Sequence, residues 1–200
     1  MDKLSLEQGE TLVRLARKSI SYAIAAGKKL RELCADQELL GQRGVFVTLE
    51  TFPERALRGC IGFPYPVMPL WNAVQDAAIE AALNDPRFPG VGAAELESIV
   101  VEVSVLTRPE EIKTGKKDVL HEINVGKDGL IVQRNQRSGL LLPQVATEQE
   151  WDAKTFLEQC CAKAGLMENI WQSKETRIFK FRAQIFSETE PNGKVEEKTS

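Results

Sequence analysis

The sequence predicts an α+β protein with a mixed, largely antiparallel sheet, covering helices and two unequal lobes. Three observations favour this class. Predicted helices fall between groups of strands rather than in strict strand–helix–strand alternation, two long strands form a hairpin, and several shorter ones form a meander. The 200 residues, 42% of them hydrophobic, suffice for one large domain with a core or for two small ones.

The first predicted element is a helix that packs on the sheet. Ser5 and Gln8 match a capping box at its start, and apolar residues recur at helical spacing as far as Ile24. Gly27 is expected to end or bend this helix. Residues 28–40 are then predicted to continue as a second helical piece.

A hairpin and a long helix are predicted next. The apolar run at 45–50 and the run at 57–63 indicate two strands joined by a loose loop. Three prolines interrupt regular structure after them, and 70–84 is predicted as a helix. The valine-rich run at 99–106 predicts another strand, in which Glu102 interrupts one face.

Shorter strands are predicted from residue 119 onward. Turn pairs at 128–129 and 138–139 contain glycine, which is typical of hairpins. They separate three predicted strand pieces, at residues 123–125, 130–132 and 140–142.

The last third of the chain is predicted to hold one helix and one strand. Asp152 is the expected N-cap of a helix over 153–164, and Gly165 follows its end. Alternating apolar residues predict a strand at 178–186. The polar segment 188–200 is predicted to be a disordered tail.

Composition narrows the possible functions. No run of about 18 apolar residues occurs, so we expect no membrane span, and the N-terminal residues lack the pattern of a secretion signal, so we expect a cytoplasmic protein. A net charge of -3 argues against nucleic-acid binding. Of the four cysteines two are adjacent and two are scattered, with no C-x-x-C, which favours reduced thiols. With only one histidine besides, we predict no metal site and no cofactor.

The hexapeptide LRGCIG at residues 57–62 is the strongest candidate for a functional site. In a strand, Arg58 and Cys60 point to one face, which should be polar or open because a guanidinium is rarely left unpaired in a core. Gly59 and Gly62 flank the cysteine and let other atoms approach the backbone. We therefore predict both glycines to contact substrate.

Cys60 is the candidate nucleophile, with Arg58 beside it to lower the pKa of the thiol. Glu102 is the candidate general base because a carboxylate breaks a valine-rich strand. The alternatives are that Cys60 is a small buried strand residue and that Glu102 merely faces water. His121 offers the only imidazole, and a solvated surface position is favoured for it.

Arg58 and Arg87 are candidates to clamp a carboxylate or phosphate through their guanidinium groups. For Arg87 the alternative is a structural ion pair with Asp85. Gln144 follows a proline at a predicted strand end, where its amide could bond a ligand or tie down a loop.

Several ordered motifs resemble the AMMECR family. The resemblance spans roughly residues 6–187, predicts one domain over residues 5–187, and is greatest to archaeal members. The matching motifs are LRGCIG at 57–62, GVFVTL at 44–49, DPRF at 85–88, EVSVLT at 102–107, GKDGL at 126–130, LPQVA at 142–146 and WD at 151–152.

This resemblance implies two unequal lobes, with the hexapeptide lining a cleft between them. It implies no particular reaction. Microbial relatives are associated with a Memo-family protein and a radical S-adenosylmethionine enzyme, so the resemblance implies partners of these kinds. Many relatives carry histidine where this chain has Asp128, and any role of that histidine cannot be transferred here.

Two hypotheses follow. In the first, the protein is an enzyme or enzyme component whose cleft uses Cys60 thiol chemistry on an anionic or carbonyl-bearing substrate. In the second, it is a non-catalytic binding or adaptor module that presents the same cleft to a partner protein.

Overall fold

A computed structural model describes residues 3–198 of the protein. Within this range the chain forms two compact units, one from residues 3–106 and 184–198 and the other from residues 107–183. In chain order the helices and strands are α1 (Leu6–Ala26), β1 (Gly44–Thr51), β2 (Leu57–Phe63), α2 (Leu70–Leu83), β3 (Ile99–Leu106), β4 (Glu110–Glu111), β5 (Gly129–Arg134), β6 (Arg137–Leu141), α3 (Pro143–Glu148), α4 (Ala153–Lys163), β7 (Arg177–Phe181), β8 (Ala183–Glu188) and β9 (Val195–Lys198). The predicted α+β class with antiparallel pairing and covering helices is confirmed, and the cleft stays a prediction.

The first unit is a five-stranded sheet in the order β2-β1-β3-β8-β9. Strand β1 pairs antiparallel with β2 on one side and with β3 on the other. One face of these strands packs with α1 and α2 into an apolar core that includes Val47, Leu49 and Val103. Strand β2, which carries the hexapeptide, is therefore an outer strand of this sheet.

Local sequence signals determine both ends of α1. The Gln8 N–H donates to Ser5 Oγ at 3.2 Å and the Ser5 N–H donates to Gln8 Oε1 at 3.0 Å, which completes the predicted capping box. Gly27 ends the helix with a φ of 63°, a left-handed conformation that glycine adopts without strain.

The predicted helical piece at 28–40 is wrong, since only Glu38–Leu40 forms a short 3-10 turn. Two side chains of α2 form hydrogen bonds with backbone groups of Glu32, which a helix would need for its own hydrogen bonds. Trp71 Nε1 donates to the Glu32 carbonyl at 2.7 Å, and Gln75 Oε1 accepts from the Glu32 N–H at 3.2 Å. These bonds hold the segment in an irregular path.

The prediction of a disordered tail at 188–200 is wrong over the described part of that segment. Val195–Lys198 forms β9, which pairs antiparallel with β8, and Val195 is buried in the core. Glu188, the first residue of the expected tail, is fully buried. Residues 199 and 200 lie outside the described range.

The second unit is a four-stranded antiparallel sheet in the order β4-β7-β5-β6, packed with α4. Asp152 caps α4 as predicted, accepting the Thr155 N–H at 2.7 Å. The β5–β6 turn lies at 135–136 rather than at either predicted glycine pair, with Asn135 at a φ of 53°.

Two predicted strands in this region differ from those observed. Residues 123–125 form no strand, because the buried Asp128 carboxylate accepts the Asn124 N–H at 3.0 Å and closes a turn. The predicted strand at 178–186 is divided at Arg182 into β7 and β8, which belong to different sheets. Among the described residues, no helix has the length and apolar character needed to cross a membrane.

Candidate functional site

Cys60 lies in a row of side chains that crosses three strands. Thr48 is the cross-strand partner of Cys60 in β2 and also of Glu102 in β3, so the three side chains share one face of the sheet. The Thr48 hydroxyl donates to Cys60 Sγ at 3.3 Å. Two strand spacings, roughly 9.5 Å, separate Cys60 from Glu102, so the structure does not bring the candidate nucleophile and base into direct contact.

An aspartate–arginine pair closes the outer edge of β2 at Cys60. Asp85 Oδ2 accepts the Cys60 N–H at 2.8 Å, and Arg87 Nη2 donates to the Cys60 carbonyl at 3.2 Å. The two side chains are joined through Arg87 Nε to Oδ1 at 3.0 Å and Nη2 to Oδ2 at 2.7 Å. The pair thus bonds both backbone groups that a neighbouring strand would otherwise bond.

The charges of this pair reinforce each other. The hydrogen bond from Arg87 holds the pKa of the Asp85 carboxyl well below its usual range, and this outweighs the opposing effect of burial. The hydrogen bonds that Arg87 donates to the Asp85 carboxylate likewise raise the pKa of Arg87, with smaller contributions from the Cys60 thiol. Asp85 is therefore ionised and Arg87 charged at any physiological pH.

Arg58, which we predicted would lower the pKa of the thiol, is bound elsewhere. Its Nε and Nη2 donate to the two carboxylate oxygens of Glu95 at 3.0 and 3.2 Å. Its Nη1 is buried without a hydrogen-bond partner. The Phe88 ring lies 6.0 Å from Arg58 Cζ and 5.5 Å from Arg87 Cζ, within cation–π range of both. Arg87 is thus the guanidinium in contact with Cys60.

Neither predicted substrate-contacting glycine has open space beside its Cα. A Cβ on Gly59 would lie 2.2 Å from the Ala81 carbonyl oxygen of α2, and one on Gly62 would lie 2.2 Å from the Val45 carbonyl oxygen. The protein's own backbone therefore explains both glycines, and their contact with substrate stays a prediction.

Glu102 is buried and forms an ion pair with Lys198 of β9. Burial raises the pKa of its carboxyl, and this effect exceeds the opposing attraction of Lys198. A carboxylate with a raised pKa suits proton transfer. The position of Glu102 two strands from the thiol gives it no direct proton path to Cys60.

We expect Glu102→Gln to be more heat-stable than the native protein near pH 8, by a few degrees in Tm. A carboxyl whose pKa is raised on folding favours the folded state when protonated, and this contribution is lost as the pH rises through the folded-state pKa. Glutamine cannot ionise, so the difference should shrink toward pH 4. Thermal unfolding followed by circular dichroism across this range measures it, and a variant less stable at pH 8 than at pH 4, relative to native, contradicts it.

The remaining candidates lie in the second unit. Gln144 is in α3, and its Oε1 is buried without a hydrogen-bond partner. His121 is exposed in a 3-10 turn. Cys160 and Cys161 are fully buried in α4, and burial raises their pKa values to about 12 and about 11. These two thiols are unsuited to nucleophilic chemistry.

Residue patterns predicted Cys60 and Arg87 and offered the Arg87–Asp85 ion pair as an alternative, which the structure contains, but they did not predict the Thr48 hydroxyl that contacts Cys60. Thr48 carries no local signal, because its role depends on strand register. Asp85 carries one, since Asp-Pro favours turns and an Asp side chain often accepts the N–H two residues later. The Arg87 N–H donates to Asp85 Oδ1 at 3.1 Å in this way.

The fold and site define a class of α+β protein with two antiparallel sheets, in which a half-buried cysteine on an outer strand is contacted by an arginine that is paired with an aspartate. The chain belongs to the AMMECR1 family, whose family model matches residues 13–186. The resemblance inferred from the motifs is thereby confirmed.

Archaeal proteins are similar to this chain over its whole length. Protein MK0488 of Methanopyrus kandleri is 50% identical over 98% of this chain and 96% of its own. Protein MJ0810 of Methanocaldococcus jannaschii is 48% identical over 99% of this chain and 98% of its own. The crystal structure of the uncharacterized protein PH0010 from Pyrococcus horikoshii is 46% identical, with a TM-score of 0.95 and full coverage of both chains.

Proposed function

We propose that this protein is an enzyme, or a component of one, that uses the Cys60 thiolate as a nucleophile toward an anionic or carbonyl-bearing substrate. One observation carries the proposal: the sulfur of the half-buried Cys60 accepts a hydrogen bond from Thr48 at 3.3 Å, while the Arg87 guanidinium donates to the Cys60 carbonyl at 3.2 Å and interacts with its side chain. A hydroxyl donor and a positive charge both favour thiolate over thiol.

The charged surroundings also suit an anionic reaction centre. In the proposed step the Cys60 thiolate forms a bond to a carbonyl carbon, and the carbonyl π electrons move to oxygen as an oxyanion. The thiol proton has already left to solvent, so no neighbouring base is required. Arg58 Nη1 has no hydrogen-bond partner among the described residues, and we propose that it donates to such an oxyanion or to a substrate carboxylate if substrate binding uncovers this buried nitrogen.

We also propose partners and a location for this activity. The family resemblance implies a Memo-family protein and a radical S-adenosylmethionine enzyme as partners, and we propose that the protein works with them in the cytoplasm. Glu102 is proposed to assist through the substrate rather than through Cys60, since it does not contact the thiol. Gln144 is kept as a proposed substrate-binding residue of the second unit.

A non-catalytic binding or adaptor module is the second candidate. It is favoured by the pairing of both site arginines with carboxylates of the same chain, Arg58 with Glu95 and Arg87 with Asp85. Arginines paired in this way stabilise a surface that a partner protein could contact without any reaction.

Alkylation of Cys60 as a function of pH separates the two candidates. In a Cys34→Ser background, which removes the other cysteine that is not fully buried, we expect iodoacetamide to label the native fold with a pH midpoint well below the free-cysteine pKa of about 8.5. Rates are measured by mass spectrometry of the Cys60 peptide, with Cys60→Ser as the control. A midpoint at or above that of free cysteine, or labelling only after unfolding, favours the binding module.

A further inference from the structure

The Asp85 carboxylate has no acceptor capacity left for a substrate. It accepts four hydrogen bonds, from the N–H of Cys60 and from the N–H, Nε and Nη2 of Arg87. A carboxylate has about four acceptor positions, and the Asp85 side chain is only 2% exposed. Asp85 therefore cannot bind a substrate directly without giving up one of these bonds, and it can influence Cys60 only through its charge and through the groups that it holds.

Arg87 is the group through which Asp85 can act. The two hydrogen bonds between the side chains form a planar fork that holds the guanidinium in one orientation. In this orientation Arg87 Nη2 also reaches the Cys60 carbonyl. The negative charge of Asp85 lies against the positive charge of Arg87, so the thiol is exposed to the field of a pair rather than to that of a free cation.

We infer that Asp85 is a positioning residue that holds Arg87 beside Cys60 and partly cancels its charge, and so limits how strongly the thiol ionises. This inference rests on the proposed thiolate function and adds a means by which its reactivity is regulated. A substrate or partner that drew Asp85 away from Arg87 would increase the reactivity of Cys60.

Other charges near Cys60 do not obscure this effect. Arg58 is neutralised by Glu95, and Glu50 of β1 pairs with Arg55 at 3.1 Å. From α2, the contact with β2 at Gly59 is made by the Ala81 backbone, which adds no charge. Glu102 of β3 lies beyond Thr48 and pairs with Lys198.

Asp85 could also have a purely structural role, and the test must distinguish this role from an effect on the ionisation of the Cys60 thiol. With Arg87 it satisfies the Cys60 N–H and carbonyl on an outer strand, where unpaired backbone groups promote aggregation. If this were its whole role, losing either side chain would loosen β2 and speed alkylation at every pH without moving the pH midpoint.

The test measures iodoacetamide alkylation of Cys60 against pH in the full chain with Cys34→Ser. We expect Asp85→Asn to lower the midpoint by about one pH unit, which is roughly a tenfold faster rate well below the midpoint. Arg87→Gln should raise the midpoint by a similar amount. The double variant, which restores the native net charge, should return the midpoint to within about 0.5 unit of native.

Opposite shifts of the two single variants support the inference, and shifts of the same sign, or none, overturn it. If Asp85→Asn does not fold, as judged by circular dichroism, Asp85→Ser takes its place with the same expected direction. The proposed function fails separately, through a native midpoint at or above that of free cysteine, whatever the variants show.

Discussion

Glu188→Gln is expected to lower the free energy of unfolding by about 3–5 kcal/mol, the usual result of removing one partner of a buried ion pair. Glu188 is fully buried and Arg17 is only 7% exposed. Arg17 Nε donates to Glu188 Oε1 at 2.7 Å and Arg17 Nη2 donates to Oε2. Glutamine has a similar shape but no charge, so it would leave the Arg17 guanidinium buried without a counterion.

The same carboxylate joins several elements of the first unit. The Val101 N–H of β3 donates to Glu188 Oε2 at 3.0 Å, and Arg14 of α1 donates to Oε1 at 3.1 Å. Arg55, in the β1–β2 loop, donates to the Glu188 carbonyl at 3.0 Å. Loss of the charge therefore weakens the contacts of α1 and β3 with β8 together.

Urea unfolding at neutral pH measures this effect. The matched control is Glu196→Gln, whose side chain is 55% exposed and forms a surface ion pair with Lys194. This variant should change stability by less than about 0.5 kcal/mol. The double variant Arg17→Met with Glu188→Leu should be more stable than Glu188→Gln, since it removes both buried charges. A loss below about 1 kcal/mol for Glu188→Gln would show that the pair is hydrated in solution.

Gly59→Ala is expected to destabilise the protein by about 2–3 kcal/mol. The added methyl would lie 2.2 Å from the Ala81 carbonyl oxygen, which belongs to the backbone of α2 and cannot rotate away as a side chain can. Strand β2 must then move away from α2, and the hydrogen bonds of Cys60 with Asp85 and Arg87 should lengthen with it.

Thermal unfolding compares this variant with Gly90→Ala. A Cβ on Gly90 meets no atom closer than 3.8 Å, so that variant should unfold at nearly the native temperature. Gly59→Ala should unfold several degrees lower, at about 2–4 °C per kcal/mol for a chain of this size. Equal unfolding temperatures for the two variants would mean that β2 and α2 are not in such close contact.

The elements predicted correctly are those whose signals are local. The capping box of Ser5 and Gln8, the N-cap Asp152 and the alternation of β3 each depend on residues within one turn or one strand. The turns of the second unit were misplaced because Asn135 takes a left-handed conformation without glycine. The sequence does not reveal the division at Arg182, because apolar residues alternate in the same way in one continuous strand and in two successive strands of different sheets.

Only part of the candidate site was predicted, again because local signals can be read from the sequence and contacts between distant residues cannot. The hexapeptide and Arg87 were found from residue type and family motifs. The pairing of Arg87 with Asp85 was one of two alternatives. The pairing of Arg58 with Glu95 was not predicted, because these residues are separated by 37 positions and only the fold brings them together. Glu188 was assigned to a disordered tail because a polar composition carries no information about a buried partner such as Arg17.

By itself, the sequence determined the fold class, the family and the strand that carries Cys60, because periodicity, caps and ordered motifs are properties of neighbouring residues. The tertiary structure alone decided that Arg87 rather than Arg58 lies beside the thiol, that Thr48 separates it from Glu102, and that Asp85 holds the edge of β2. Electrostatic effects depend on distance through space, and that distance is set by strand register and by the packing of elements far apart in the chain.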